Sequence, residues 1–170
     1  GDYLYVNHTG AVVTPITLAT SDLTIEFWIH FTTTPASTLV VFDCLGSANP
    51  SGAYPRVDIT SNVFAYRVSG AYRITGSTVV KAGTWYHVAV VRSSGTTKMF
   101  INGTQEGISY ADATNYLLGA NRPMIGASGY NTSTNITFNG YVYGASVYKG
   151  NARYTANFTP PSSPQLTGDY

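Results

Sequence analysis

The chain has 170 residues and a mass of 18.2 kDa, enough for one domain with a sizeable core and little beyond it. Its composition, 44% hydrophobic, 14% aromatic and only 10% charged, is the reverse of a disordered chain's. A formal net charge of +1 without a basic run removes the phosphate attraction on which nucleic-acid binders depend, so no nucleic-acid partner is expected.

The single cysteine, Cys44, allows neither an internal disulfide nor a clustered Cys metal site and reads as a small buried hydrophobe. The longest apolar stretches, Leu39-Val40-Val41-Phe42 and Val88-Ala89-Val90-Val91, are far short of the roughly 20 residues of a spanning helix, so no membrane insertion is expected. The sequence starts Gly1-Asp2 without Met or an apolar leader, which suits a mature product or a piece of a longer chain. Asn-X-Ser/Thr sequons begin at Asn7, Asn102, Asn131, Asn135 and Asn157, and chance accounts for most of them in so Asn- and Thr-rich a chain.

In chain order, short strand signals at Tyr3–Val6 and Val12–Leu18 precede clear period-2 runs at Leu23–Phe31, Thr38–Cys44, Arg56–Thr60, Val63–Val68, Ala71–Thr75, Tyr86–Arg92, Lys98–Ile101 and Phe138–Tyr148. Turn signals at Ser61-Asn62, Ser69-Gly70, Ser94-Gly95 and Asn102-Gly103 fall between them, the punctuation of hairpins in a largely meandering order. In Leu23–Phe31 the odd positions, Ile25 to Phe31, form one apolar face and Thr24, Glu26, Trp28 and His30 the other. Gly76–Thr84 and Gly119–Asn135 read as loops, and Tyr110–Gly119 as the one place for a short helical turn. Trp85 and Phe27 are expected in the core. The expected architecture is all-β, with residues 1–159 as a single domain and the Pro/Ser-rich 160–170 as an exit tail.

The runs Gly1-Asp2-Tyr3-Leu4-Tyr5-Val6, Leu23-Thr24-Ile25-Glu26-Phe27-Trp28-Ile29, Trp85-Tyr86-His87-Val88-Ala89-Val90-Val91-Arg92 and Phe100-Ile101-Asn102-Gly103 resemble the concanavalin A-like lectin/glucanase superfamily in its laminin G-like and pentraxin-like branch. Met124-Ile125-Gly126-Ala127, Phe138-Asn139-Gly140-Tyr141-Val142 and the stretch from Tyr148 to Pro161 continue the resemblance. Its closing element, Ala152-Arg153-Tyr154-Thr155 to Phe158-Thr159-Pro160-Pro161, is similar to versions in bacteriophage structural and bacterial surface proteins. The resemblance implies a two-sheet antiparallel jelly-roll sandwich, a fold that hosts lectins, glycanases, adhesion modules and structural decorations.

Retaining glycanases need two carboxylates about 5 Å apart, which this family supplies from alternate positions of one strand. No two of the eight acids here stand two positions apart, so that signature is absent. Glu26 reads as an anchor within the sheet, and His87, beside Trp85 and Ala89, as a hydrogen-bonded sheet histidine. Neither His8 nor His30 belongs to a nucleophilic motif. The chain therefore reads as no enzyme, with pairing of Glu26 and Asp58 across strands as the residual catalytic arrangement.

Calcium needs several oxygen ligands. The stretch after Ile125-Gly126, Ala127-Ser128-Gly129-Tyr130-Asn131, lacks the acids of pentraxin-like members, and Tyr143-Gly144 replaces an Asp-Asp pair. Asp43, with Asn49 on the following loop, is the one weak metal candidate, and no cofactor is expected. Sugar sites instead use aromatic rings under pyranose faces with amides and hydroxyls around them. Tyr54, Tyr72, Tyr110, Tyr116 and Tyr130, with Asn49, Asn121 and Asn131, offer these near loops. The resemblance places the loop after Thr38–Cys44 beside the one after Ile125-Gly126, which makes Asn49, Tyr54, Tyr130 and Asn131 the candidate carbohydrate or partner site. The sequence reads as a recognition module on a virion or cell surface, outside the cell, partnered by a glycan or surface polysaccharide and by other virion or surface subunits. The alternative is a virion structural or decoration domain that binds no sugar, with a glycan hydrolase as a distant third.

Overall fold

The computed structural model describes residues 4–5, 18–45, 52–117, 123–128 and 139–164. The described residues form strands β1 (Leu4–Tyr5), β2 (Leu23–Phe31), β3 (Leu39–Asp43), β4 (Arg56–Thr60), β5 (Val63–Val68), β6 (Ala71–Val79), β7 (Trp85–Ser93), β8 (Thr96–Ile101), β9 (Thr104–Ala111), β10 (Met124–Ile125) and β11 (Gly140–Lys149). These pair antiparallel into a first sheet ordered β1-β10-β3-β4-β5-β6 and a second ordered β11-β2-β7-β8-β9. The architecture is the two-sheet jelly-roll sandwich expected from the sequence.

Four hairpin turns carry positive φ at both central residues: Ser61-Asn62 (46° and 65°), Ser69-Gly70 (51° and 76°), Ser94-Gly95 (48° and 75°) and Asn102-Gly103 (51° and 78°). Two consecutive left-handed residues match the twist of the flanking strands, so each two-residue turn fixes its hairpin's register. Two meanders follow, β3 to β6 and β7 to β9, whereas β2 lies between two strands that come later in the chain, β7 and β11. The order is therefore a meander only within these two blocks.

Alternation divides each strand between the core and an outward face. Ile25, Phe27, Ile29 and Phe31 of β2 meet Val41, Phe42, Val57, Ile59, Phe64 and Tyr66 from the opposite sheet. Phe27 stacks on Phe42 at 6.5 Å between ring centroids, and Phe64 meets Tyr86 edge-on at 5.6 Å. Trp85 was expected in this core but is half-buried on the outward face. Its neighbour Tyr86, 3% exposed, takes the inward position, with its hydroxyl accepting from the Lys81 amide at 2.9 Å. Residues 76–79, expected as loop, continue β6. They stay beside β5 and are also held by the unforeseen β9, whose Glu106 carboxylate accepts from the Ser77 amide at 2.8 Å, the Thr78 amide at 3.1 Å and the Thr78 hydroxyl. The edge strands of the two sheets are thus tied together. Residues 112–117, expected as a helical turn, contain none: they are irregular, with the Thr114 amide donating to Asp112 Oδ1 at 3.1 Å, and lead to a bridge between Ala19 and Tyr116.

Candidate functional site

The centre of the first sheet is unusual on its outward side. Val57 and Ile59 enter the core, which turns Arg56 and Asp58 outward. The Ser61-Asn62 hairpin then sets Arg67 directly across from Arg56 and Ala65 across from Asp58, while β5 and β6 pair Arg67 with Tyr72. On the other side β3 brings Asp43 beside Arg56. Five outward residues from four strands therefore meet.

Arg56 donates through Nε to Asp58 Oδ1 at 2.5 Å and reaches Asp43 Oδ2 at 3.9 Å, and Arg67 lies 3.9 Å from Asp58 Oδ2. The guanidinium of Arg67 sits 5.4 Å above the ring of Tyr72, itself 43% exposed. Burial pushes the Asp58 carboxyl above its ordinary value, and the nearby charges of Arg56 and Arg67, which pull it down, do not fully offset this. Asp58 Oδ2 and Arg67 Nε are buried without a hydrogen-bond partner. Val40, Asp58 and Ala65 are wholly buried, so the accessible part is the edge formed by Arg56, Arg67 and Tyr72. Two cations and two anions cancel there, leaving directional donors beside an open ring: an arrangement able to grip hydroxyls and carbonyl-type acceptors while stacking an apolar face.

Of the residues singled out in the sequence, Tyr54 is half-buried against the main core, and its neighbour Ala53 accepts a hydrogen bond from the Leu117 amide at 2.8 Å. Asn49, Tyr130 and Asn131, like Asn121, lie outside the described residues. Asp43 is fully buried; its Oδ1 accepts from the Leu45 amide at 2.8 Å and its Oδ2 from the Ser128 hydroxyl at 3.4 Å. Among the described residues no group of three His, Cys, Asp or Glu side chains could hold a metal ion. Tyr116, counted among the loop tyrosines, is 1% exposed and structural, whereas Tyr110 is half-buried under Arg73. Arg56, Asp58 and Arg67 were not singled out as a set. The turn chemistry of Ser61-Asn62 was the available signal, because a two-residue turn forces Arg56 opposite Arg67.

Glu26 and Asp58, the residual catalytic pairing considered from the sequence, do not come together: they occupy outward faces of different sheets. Asp22 and Glu26 stand four positions apart, a spacing the sequence reading passed over, and each has another role. Asp22 Oδ1 accepts from the Ser94 amide at 2.8 Å, holding a hairpin turn. Glu26 holds the closing segment, whose residues 151–158 run as a strap over the second sheet. Its Oε2 accepts from the Tyr154 hydroxyl at 2.8 Å and lies 3.4 Å from His87 Nε2, and its Oε1 pairs with Arg153 Nε at 3.1 Å. Burial would raise this carboxyl, but the hydrogen bonds from His87 and Tyr154 and the charge of Arg153 outweigh it and hold it below the ordinary value.

A family model of laminin G type, from the concanavalin A-like lectin/glucanases superfamily, matches residues 4–153. The chain belongs to this superfamily. Among solved structures, this superfamily member is similar to a heptameric SAP-like pentraxin of Limulus polyphemus, at 18% identity and TM-score 0.58 over 90% of this chain and 77% of that one. It is also similar to the CBM40 module of a Ruminococcus gnavus sialidase bound to α2,3-sialyllactose, at 14% identity and TM-score 0.62 over 80% and 79% of the two chains. A third similar structure is domain 4 of an extracellular arabinanase of Geobacillus stearothermophilus in complex with arabinotriose, at 16% identity and TM-score 0.56 over 89% and 77%. No curated protein matches the chain. At these identities the likeness is one of fold.

Proposed function

We propose that this protein is a non-catalytic carbohydrate-recognition module that works outside the cell, on a virion or cell surface, as part of a larger chain or assembly. The observation that carries the reading is the outward edge of the first sheet, where Arg56 and Arg67 are pre-set by Asp58 beside the exposed ring of Tyr72. Guanidinium groups fixed by carboxylates lose little freedom on meeting a sugar hydroxyl, and a ring next to them takes the sugar's apolar face. Similar modules in a sialidase and an arabinanase, bound to sialyllactose and arabinotriose, support a glycan as the ligand class. The family resemblance alone adds Asn49, Tyr54, Tyr130 and Asn131 as further candidate contacts for a carbohydrate or partner. Residues 1–159 make up the module and 160–170 lead away from it. No metal takes part.

The test is a glycan array followed by calorimetry on its hits. Arg67→Ala and Tyr72→Ala should each weaken binding about tenfold or more, with the melting temperature close to wild type in Tyr72→Ala and lower in Arg67→Ala, which removes one of the charges offsetting buried Asp58. Silence across the array, together with a stable oligomer in light scattering, would favour a virion structural or decoration domain. Release of reducing ends from laminarin or chitin oligosaccharides, lost in Glu26→Gln, would show an enzyme instead.

A further inference from the structure

The strap covers only part of the second sheet's outward face. Ala152, Tyr154 and Phe158 close over Ala89, Val91 and Phe100, and Phe158 reaches His87 edge-on at 5.7 Å. Beyond that point β11, β2 and β7 carry a cross-strand row of Tyr141, His30 and Trp85, and beside it Tyr143 with Trp28, whose row ends on β7 at the covered His87. A register break in β11 between Tyr143 and Ser146 ends the aromatic run. Strands about 4.8 Å apart make the Tyr141–His30–Trp85 row roughly 10 Å long, the reach of two linked pyranose rings.

Three properties distinguish this shelf. Its rings meet at tilts, 54° for His30 with Trp85 and 42° for His30 with Tyr141, unlike the strap's Tyr154 and Phe158, which stack at 3.6 Å and 5°. The shelf rings therefore do not use up one another's faces. Neither row contains Lys, Arg, Asp or Glu. Finally, Trp28 Nε1 and His30 Nδ1 are buried without a hydrogen-bond partner, and His30 is only 7% exposed, whereas Tyr143 is 59% exposed at the open edge. A surface of ring faces without charge, with an indole N–H and an imidazole nitrogen unpaired, is complementary to a neutral saccharide: C–H faces on the rings, and hydroxyls for the nitrogens.

We infer that this shelf is a second ligand site, taking a neutral saccharide chain on the sheet opposite the Arg56–Arg67 edge. The inference rests on the reading of the chain as a glycan-recognition module and adds to it a site and a sugar class. With two sites on opposite faces, one molecule can bridge two glycan strands.

Both tryptophans of the chain, Trp28 and Trp85, lie in the shelf, so intrinsic fluorescence reports on this site alone. The experiment titrates the whole chain with cellohexaose, mannohexaose and maltohexaose, with hexagalacturonic acid as the acidic probe, and follows tryptophan emission and calorimetric heat in parallel. A saturable emission change with at least one neutral probe is expected, retained in Arg67→Ala and about tenfold weaker in Tyr143→Ala. Trp85→Leu, judged by heat alone, should show the same loss. An emission unmoved by every neutral probe, an equal response to hexagalacturonic acid, or a response lost in Arg67→Ala would overturn the inference. So would a Tyr143→Ala protein that responds like wild type, or a wild-type dimer that this substitution dissociates. Heat without an emission change would remove the shelf and leave the module reading standing, whereas no heat with any sugar would remove both.

Discussion

Arg92 is 1% exposed, yet its guanidinium is fully employed. It donates to the carbonyls of Ala19 at 2.7 Å, Ser21 at 2.5 and 2.8 Å and Thr114 at 2.7 Å, lies 3.8 Å from Asp112 and covers the ring of Tyr116 at 4.4 Å. Asp112 in turn accepts from the hydroxyls of Thr97, at 2.5 Å, and Tyr116, and the hydroxyl of Tyr66 donates to that of Tyr116 at 2.6 Å. One cation thus holds two irregular segments against the end of the sandwich. Arg92→Ala strands Asp112 and several carbonyls, and should cost about 3–5 kcal/mol, read as a loss of roughly 10 °C or more in melting temperature. Glu26 gives a pH signature. Its folded value is depressed below the ordinary 4.5, so its stabilisation is complete above that value and is lost as pH falls through the lower folded one. Asp58, raised by burial, has the opposite sign, because acid relieves the cost of burying its charge. Melting curves from pH 6 down to about pH 3 should show Glu26→Gln losing less stability than wild type, and a parallel decline would show that Glu26 does not tie down the strap.

At the scale of elements, the strap and the β8–β9 hairpin depend on one residue. Gly103 has φ +78°, and an added Cβ would collide with the Phe158 carbonyl, while the Phe158 amide donates back to the Gly103 carbonyl at 2.9 Å. Gly103→Ala should cost at least about 1–2 kcal/mol from the backbone alone and free the strap. Phe158→Ala should cost about 2 kcal/mol by exposing Phe100 and His87. Faster hydrogen exchange at residues 151–158 in both variants checks this. The long apolar strands β2 and β7 and the four hairpin turns were legible because period-2 burial and left-handed turn residues are local signals. β9 was not, since Thr104-Gln105-Glu106-Gly107 has weak strand propensity and is recruited through Glu106 by a distant edge. Trp85 was misassigned to the core because β7 is apolar on both faces and only the register shows which of Trp85 and Tyr86 points inward. The proposed ligand edge was legible only in part: Asp43, Asp58 and Tyr72 drew attention as single residues, while Arg56 and Arg67 gain meaning when the strands pair.

At the scale of the whole molecule, two outward faces of different chemistry lie on one core. The first sheet presents paired guanidinium groups and a tyrosine; the second is half covered by the strap and half an aromatic shelf. Asp43 has both oxygens engaged by Leu45, Ser128 and Arg56, so millimolar calcium should leave the melting temperature unchanged. A rise of several degrees, reversed by chelator, would show a metal site in the native state. The most direct test of glycan recognition at the first sheet is calorimetric titration of the best array ligand into wild type and Arg67→Ala at equal folded fraction. Saturable binding to wild type that weakens at least about tenfold in the folded variant is expected. Equal affinity in the two proteins would contradict it.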